Sequence, residues 1–538
     1  MNTIDSTTER SQLARCRNVR VTHPTATYPL DMRAWAVLVG FCLAIAWSPN
    51  ASGQLFSIGT NFTATTLSDS SFIPPDTMGS VGPQHVAVLI NGQFTVHDKA
   101  GTPLMAKSLD QFWIDAGATP DNFSFDPRLL YDRHSQRWFA AAVDNQGQAN
   151  HLLLAVSSSS DPTTSWHGFQ IDADTDDQQW ADFPMLGMNG DVIAVFATMF
   201  PTGCCTASRN LLVVPKDDLT AAVPTVANAT LLENVNAPFN SQPVVDLDNR
   251  PLPLPLLSGY FKPLNGLLIR NDIAGSPQAP SVVSPNVFTL TTVRNEPRDV
   301  DQPGPSSDID AGSARFGASV IALDGSLWGT HGVDFNGRAA VEWYEIEEAT
   351  GALLQNGIIA DPSLGFNFPS IAVNDDRDVV LGFSGGDPNT FMSAYAVVGS
   401  TSGGMTTFSP PTQLVAGNAS YERLDSSGRN RWGDYSATVL DPTNDQHFWT
   451  FQEFALNADE WAIQVTQFII PEPSSGTMLA LLAVGLVCWL STRGSLEQAA
   501  ASIRNASLLR TGLDDHVESP SSVELTQRAS YCQRRRWQ

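Results

Sequence analysis

Short apolar runs, cut by turns of Asp, Asn, Gly or Pro, recur along most of the chain. The clearest instance is Arg431-Trp-Gly-Asp-Tyr-Ser-Ala-Thr-Val-Leu-Asp-Pro-Thr-Asn-Asp-Gln-His-Phe-Trp-Thr-Phe-Gln452. A small or acidic opening leads into an apolar run, a polar turn follows, and a second apolar run completes the unit. That pattern predicts strand, turn, strand. Copies begin at Asp126, Asp182 and Phe368, and weaker ones near Asp76, Gln242 and Phe316. The intervals are roughly 50 to 75 residues, which fits a period of about 40 to 50 stretched by insertions, with several strands per repeat.

The fold class this predicts is all-β, a β-propeller in which each small twisted sheet buries its faces against its neighbours. The copies predict seven blades. Six is the alternative, because Pro251-Leu-Pro-Leu-Pro255 follows the Gln242 copy and is poor strand material. A pair of β-sandwiches with coincidental turns is the competing architecture. Long amphipathic helical patterns are missing from 55 to 470. The net charge of −25 over 538 residues, with no basic stripe, argues against nucleic acid as a partner.

Both ends of the chain carry address-like patterns. Residues 1–53 read as a leader: Arg33 precedes the apolar run Ala34 to Trp47, and Ala51-Ser-Gly53 follows as a small-residue cleavage pattern. Cleavage between Gly53 and Gln54 is expected, and Met32 gives a leader of ordinary proportions. An uncleaved anchor is the alternative. The propeller domain is expected over 54–468, and 495–538 is polar and expected to be a disordered tail. Between them, 469–494 holds Pro471-Glu472-Pro473, an apolar helix from Met478 to Leu490, and Arg493. That order resembles the PEP-CTERM sorting signal of exosortase-bearing bacteria. The resemblance implies signal peptidase and an exosortase-like protease as partners, with transient or stable membrane attachment and an envelope or extracellular destination. The pattern departs from that family because a long tail follows the basic residue. A plain membrane anchor is the other reading.

The phrases Pro75-Asp-Thr-Met-Gly-Ser-Val-Gly-Pro-Gln-His-Val86, Asp126-Pro-Arg128, Ala181-Asp-Phe-Pro184 and Arg431-Trp-Gly-Asp-Tyr-Ser436 resemble those of large secreted bacterial propeller proteins with sialidase-like architecture. The resemblance implies the fold and leaves the activity open.

Three sets of residues are candidates for chemistry. Asp172, Asp174, Asp176 and Asp177 alternate along one acidic stretch and are candidate Ca²⁺ ligands, although the EF-hand spacing fails. Asp299, Asp301, Asp308 and Asp310 form a second such stretch. Arg128, Arg315 and Arg431 hold similar places in three copies. By analogy with sialidases they are a candidate clamp for a substrate carboxylate, with Tyr421 and Glu422 as nucleophile and partner and Asp76 as acid/base. The sialidase Asp-box is absent, and salt bridges that pin blades together are the structural alternative. Among many tryptophans, Trp166 and Trp180 fall in expected loops and are candidate ligand-stacking residues. The functional expectation is an exported binding module for polysaccharide or protein. A carbohydrate-active hydrolase or lyase and a purely structural matrix protein are the alternatives.

Overall fold

The computed structural model describes residues 55–203, 206–259, 266–284 and 288–472. The cleavage site Gly53/Gln54, Pro473, the apolar run Met478 to Leu490 and the polar tail lie outside those residues. Among the described residues no helix is long and apolar enough to cross a membrane.

The strands form a β-propeller. Five discrete blades occupy 78–108, 124–172, 242–290, 365–415, and 437–469 joined by 57–66. Three of these are four-stranded and two are five-stranded. The remaining strands make one nine-stranded sheet from two antiparallel meanders, 179–232 and 321–359. The two-residue strand Val245–Asp246 fuses them by pairing in parallel with Met188 on one side and with Ile321 and Ala322 on the other. The count therefore differs from the seven or six separate blades expected. The cause lies in the Pro-rich copy, whose opening is too short to stay in one sheet: Gln242–Pro243 pairs within its own blade and Val245–Asp246 leaves it.

The innermost strands are buried on both faces, as Met78–Val81 and Ser124–Asp132 show, because neighbouring sheets cover them from either side. Outer strands alternate instead, as in Pro103–Ser108. The ring is closed by strand Ser57–Thr66, which adds to Glu460–Ile469 and so makes the N-terminal strand the outer edge of the last blade. Asn61 fixes that junction by accepting from Gln464 Nε2 at 2.6 Å and Thr466 Oγ1 at 2.7 Å.

Helix Leu109–Ala116 starts at Ser108, whose hydroxyl accepts from the Gln111 N–H, and stops at left-handed Gly117. Its Leu109, Phe112, Trp113 and Ala116, spaced for one helical face, pack with Phe94 and Trp166.

Close approach of innermost strands leaves no room for a side chain at Gly187, where a Cβ would collide with the Pro243 carbonyl of the adjoining blade. Gly187→Ala is expected to destabilise the fold by about 1–3 kcal/mol. Gly203→Ala, with nothing near it, should stay within about 0.5 kcal/mol. Denaturant midpoints of the two variants test the radial packing.

Candidate functional site

Several innermost strands carry, within them or just before them, a residue in the left-handed region. These are Asp76 (φ 47), Asp126 (φ 53), Phe183 (φ 53) and Phe368 (φ 48). The last three precede proline, which makes that backbone still less favourable. Each of those three sits in a break of strand register, between Phe125 and Arg128, Asp182 and Met185, and Asn367 and Ser370. A bulge of this kind bends the strand and re-aims its side chains. Here it brings acidic residues from different blades together at the propeller axis.

The resulting cluster is bonded from blade to blade. Asp76 Oδ2 accepts from Asn91 Nδ2 at 2.7 Å, and its Oδ1 accepts from the Asp434 N–H at 2.8 Å. Asn91 Oδ1 accepts from the Asp126 N–H at 2.8 Å. The Phe183 N–H donates to Asp182 Oδ1 at 3.0 Å and to Asp126 Oδ2 at 3.2 Å. Asp126 also hydrogen-bonds through its carboxyl to both Asp76 and Asp182.

Burial first, and then neighbouring carboxylates, hold Asp76 and Asp126 well above the usual aspartate range. Glu453, beneath them, is raised by burial and by Asp76 and Asp434. Asp182 is pushed up to about 6 by burial and by the charges of Asp434 and Asp76, against the hydrogen bond from Asp126. These carboxyls therefore keep protons that exposed ones would have lost.

Two guanidiniums stand against this acid. Arg431 Nη2 donates to Asp434 Oδ2 at 2.9 Å. Arg128 is buried beneath. Its Nε donates to the Pro184 carbonyl at 2.7 Å, its Nη1 to the Gly317 carbonyl at 2.6 Å, and its guanidinium lies 3.5 Å from the Tyr435 ring centre.

Above the cluster opens a cavity of about 810 Å³. One side is aromatic. Phe72, Phe123, Phe125, Trp180 and Phe200 follow one another with ring centres 5.6 to 6.4 Å apart, and all but Trp180 line the cavity directly. The other side is charged, with Asp310, Arg315, Asp425, Arg429 and Arg431. Arg429 Nε pairs with Asp425 at 2.8 Å, and its Nη1 with Asp310 at 3.5 Å. His331 also lines the cavity; burial lowers it, and its Nε2 meets Tyr344 Oη at 2.8 Å.

The structure separates the residues singled out by sequence. Asp76, Arg315 and Arg431 line the cavity. Arg128 does not; it is a buried brace under the floor, because the bulge before it turns the side chain into the axis. Tyr421 is fully buried against Trp432, with ring centres 5.1 Å apart. Glu422 is exposed and accepts from Ser307 at 3.0 Å. Neither residue reaches the cavity.

Trp166 opens strand Trp166–Asp172 rather than sitting in a loop, is buried, and donates to the Pro162 carbonyl at 2.9 Å. Trp180 begins the next innermost strand and backs the aromatic wall. Two of the acidic-loop aspartates close local turns: Asp172 accepts from the Asp174 N–H at 3.1 Å and Asp176 from the Gln178 N–H at 3.2 Å. Asp174 accepts from the Gln179 N–H at 2.8 Å. Among the described residues, Asp177 and these three included, no group of three or more His, Cys, Asp or Glu is placed to hold a metal ion. Pro471 and Glu472 are exposed at the end of the last blade.

Sequence reasoning missed Asn91, Asp126, Asp182 and the phenylalanine wall as site residues. The signal for the acids was an aspartate at nearly the same offset in several repeats.

Fold and site together define an all-β propeller with an axial cavity walled by aromatic rings on one side and ion pairs on the other. No protein-family model matches the chain, and no curated protein matches its sequence. Among solved structures it is similar to Trypanosoma rangeli sialidase (TM-score 0.34, 11% identity, covering 78% of this chain and 61% of that one). It is also similar to a Dyadobacter fermentans protein of unknown function (0.27, 9%, 78% and 100%) and to a thermostable family-43 glycoside hydrolase (0.28, 10%, 65% and 90%). The chain spans about three fifths of the length of the sialidases. At this distance no residue role transfers.

A carboxyl that holds its proton more tightly folded than unfolded stabilises the fold at low pH, and that contribution is lost as pH rises through the folded value. For Asp182 the window runs from the ordinary aspartate value to about 6. For Asp76, Asp126 and Glu453 it starts at the ordinary value and runs upward. Asp132 and Asp441, held down against burial by Lys216 and Lys99, finish titrating below that window. Melting temperature should therefore fall as pH rises from the ordinary aspartate value through about 6, and Asp126→Asn should flatten the slope. For the brace, Arg128→Met is expected to cost about 3–5 kcal/mol, because it leaves buried acid without its counter-charge. Arg128→Lys keeps the charge and should cost less, about 1–3 kcal/mol for the carbonyls it cannot reach together. Chemical denaturation of both variants separates charge from geometry.

Proposed function

We propose that the protein is a saccharide-binding propeller that takes its ligand in the axial cavity. The observation that carries this reading is the opposition of two unlike walls across one opening of about 810 Å³. A sugar ring has an apolar face that stacks on aromatic carbons and an edge of hydroxyls that needs charged or polar partners. Phe72, Phe123 and Phe200 offer the first; Arg315, Arg429 and Asp425 offer the second. The floor carboxyls Asp76 and Asp126 already serve backbone and Asn91 donors, which suits a binding site with a fixed base.

The setting belongs to the same reading. The leader pattern Ala34 to Trp47 with Ala51-Ser-Gly53, and the Pro471-Glu472-Pro473 phrase, support export through signal peptidase and an exosortase-like protease. Polysaccharide is abundant at that destination, the envelope or its exterior.

One observation favours a second reading, glycoside hydrolysis. Asp182 lines the cavity with its carboxyl near 6, which is where a general acid works. Under that reading Asp182 would protonate the leaving oxygen, and Asp182→Asn would bind oligosaccharide but release no product.

Calorimetric titration of the full chain with soluble oligosaccharides tests the proposal. Phe200→Ala and Arg429→Ala should each weaken binding about ten-fold, equivalent to about 1.4 kcal/mol. Val223→Ala, exposed and outside the cavity, should leave it unchanged. Binding without product release selects the first reading over the second.

A further inference from the structure

The two walls of the cavity differ in charge as well as in polarity. All three cavity-lining arginines, Arg315, Arg429 and Arg431, come from the 310–435 side. Arg429 is engaged by Asp425 and Asp310, and Arg431 by Asp434. The opposite side is built by hairpin 179–201 and its neighbour blade. In that hairpin Trp180 pairs with Phe200 and Asp182 pairs with Thr198. Strand periodicity puts these four residues on one face. Phe125 adds its ring 6.4 Å from Trp180.

Asp182 thus shares a strand face with Trp180 and Phe200, and among the described residues no cation forms an ion pair with it. Its partners are the Phe183 N–H and the Asp126 carboxyl. A further vacancy faces the same space: Tyr435 lines the cavity, is 2% exposed, and its hydroxyl has no hydrogen-bond partner.

Resting on the saccharide-binding reading, we infer that the Asp182 side of the cavity is an ammonium subsite, and that the ligand is an oligosaccharide of amino sugars carrying free amines. An organic ammonium gains from a carboxylate and from aromatic faces together. A hard divalent cation does not fit the same place, because it asks for six or more oxygens and the phenylalanine rings supply none. A carboxylated sugar would meet the Asp182 carboxylate as like charge. A neutral sugar would leave the carboxylate without a counter-ion. The unpartnered Tyr435 hydroxyl supplies an acceptor for an N–H or a hydroxyl of the same ligand.

The test uses the full chain and three tetrasaccharides at about pH 6.5, where a sugar ammonium is charged and most of Asp182 is ionised. They are a glucosamine tetramer, its fully N-acetylated form, and a neutral glucose tetramer. The glucosamine tetramer should bind at least about ten-fold tighter than the other two. Raising the salt should erode that advantage and leave neutral binding unchanged. Asp182→Asn should bring the glucosamine and glucose tetramers to within about two-fold of each other. Phe200→Ala, which leaves the acidic surface of the chain intact, should also lower the glucosamine preference at least about three-fold, so the subsite is tested even if Asp182→Asn does not fold. Equal or tighter binding of the acetylated or neutral tetramer overturns the ammonium subsite and leaves saccharide binding standing. Failure of all three to bind overturns both.

Discussion

A guanidinium buried on the axis is the constraint from which the rest of the site follows. Arg128 cannot shed its charge, so burying it demands acceptors in place of water. It finds them in the Pro184 and Gly317 carbonyls and in the Tyr435 ring. Pro184 lies in the nine-stranded sheet, and Gly317 and Tyr435 lie in the segments that lead into two later strands, so one side chain ties the second blade to three other parts of the ring. The same charge must be balanced. Arg128 and Arg431 face five acids: Asp76, Asp126, Asp182, Asp434 and Glu453. Two positive charges cannot hold five ionised carboxyls out of water. The surplus is resolved by protons, and Asp126 bonds to Asp76 and Asp182 through shared carboxyl contacts. The raised carboxyls follow from burial and from one another, and Arg128 pulls Asp126 back down.

Backbone strain is the second condition. Asp126, Phe183 and Phe368 adopt positive φ in front of proline, at a cost of about 1–3 kcal/mol each. No local preference explains such a conformation. At Asp126 it is held by the inward carboxylate, which caps the Phe183 N–H of the next blade, as Asp76, also at positive φ, does for the Asp434 N–H. The repeated Asp-Pro and Phe-Pro phrases are therefore joints between blades, each using a bulge to present one side chain to the axis.

That mechanism explains what is legible from sequence and what is not. The repeat openings are legible because apolar runs and turns are local. Each falls within a few residues of the first strand of a blade or meander. The fusion of two meanders through Val245–Asp246 is not, since pairing of a two-residue strand depends on partners more than fifty residues away. Arg128 and Arg431 look equivalent in their copies, yet one lies under the floor and the other lines the cavity, because a bulge precedes Arg128 in its strand whereas Arg431 precedes its strand altogether. Trp166 reads as a loop residue until helix Leu109–Ala116 is seen covering it. Tyr421 and Glu422 are adjacent in sequence and diverge in space, one inward and one outward. Convergence of Asp76, Asp126, Asp182 and Asp434 requires the ring to close, which no local pattern records.

The floor and the rim of the cavity obey different energetics, and this bears on what the cavity can admit. Floor bonds are buried, so breaking one exposes an unpaired charge or a strained turn, and the base cannot adapt. The rim pairs Arg429–Asp425 and Arg429–Asp310 lie where water reaches them, with the arginine side chain 54% exposed. Pairs of that kind contribute about 0–1 kcal/mol, so a ligand can take over Arg429 at little cost. The aromatic side is intermediate: Phe125 is buried and fixed, whereas Phe200 is 38% exposed and can shift about its rotamers. A ligand entering from the rim therefore exchanges weak ion pairs first and meets rigid geometry only at depth. Selectivity must then come from the deep groups, Asp182, Phe125 and Tyr435, while the rim sets how readily the opening is crossed.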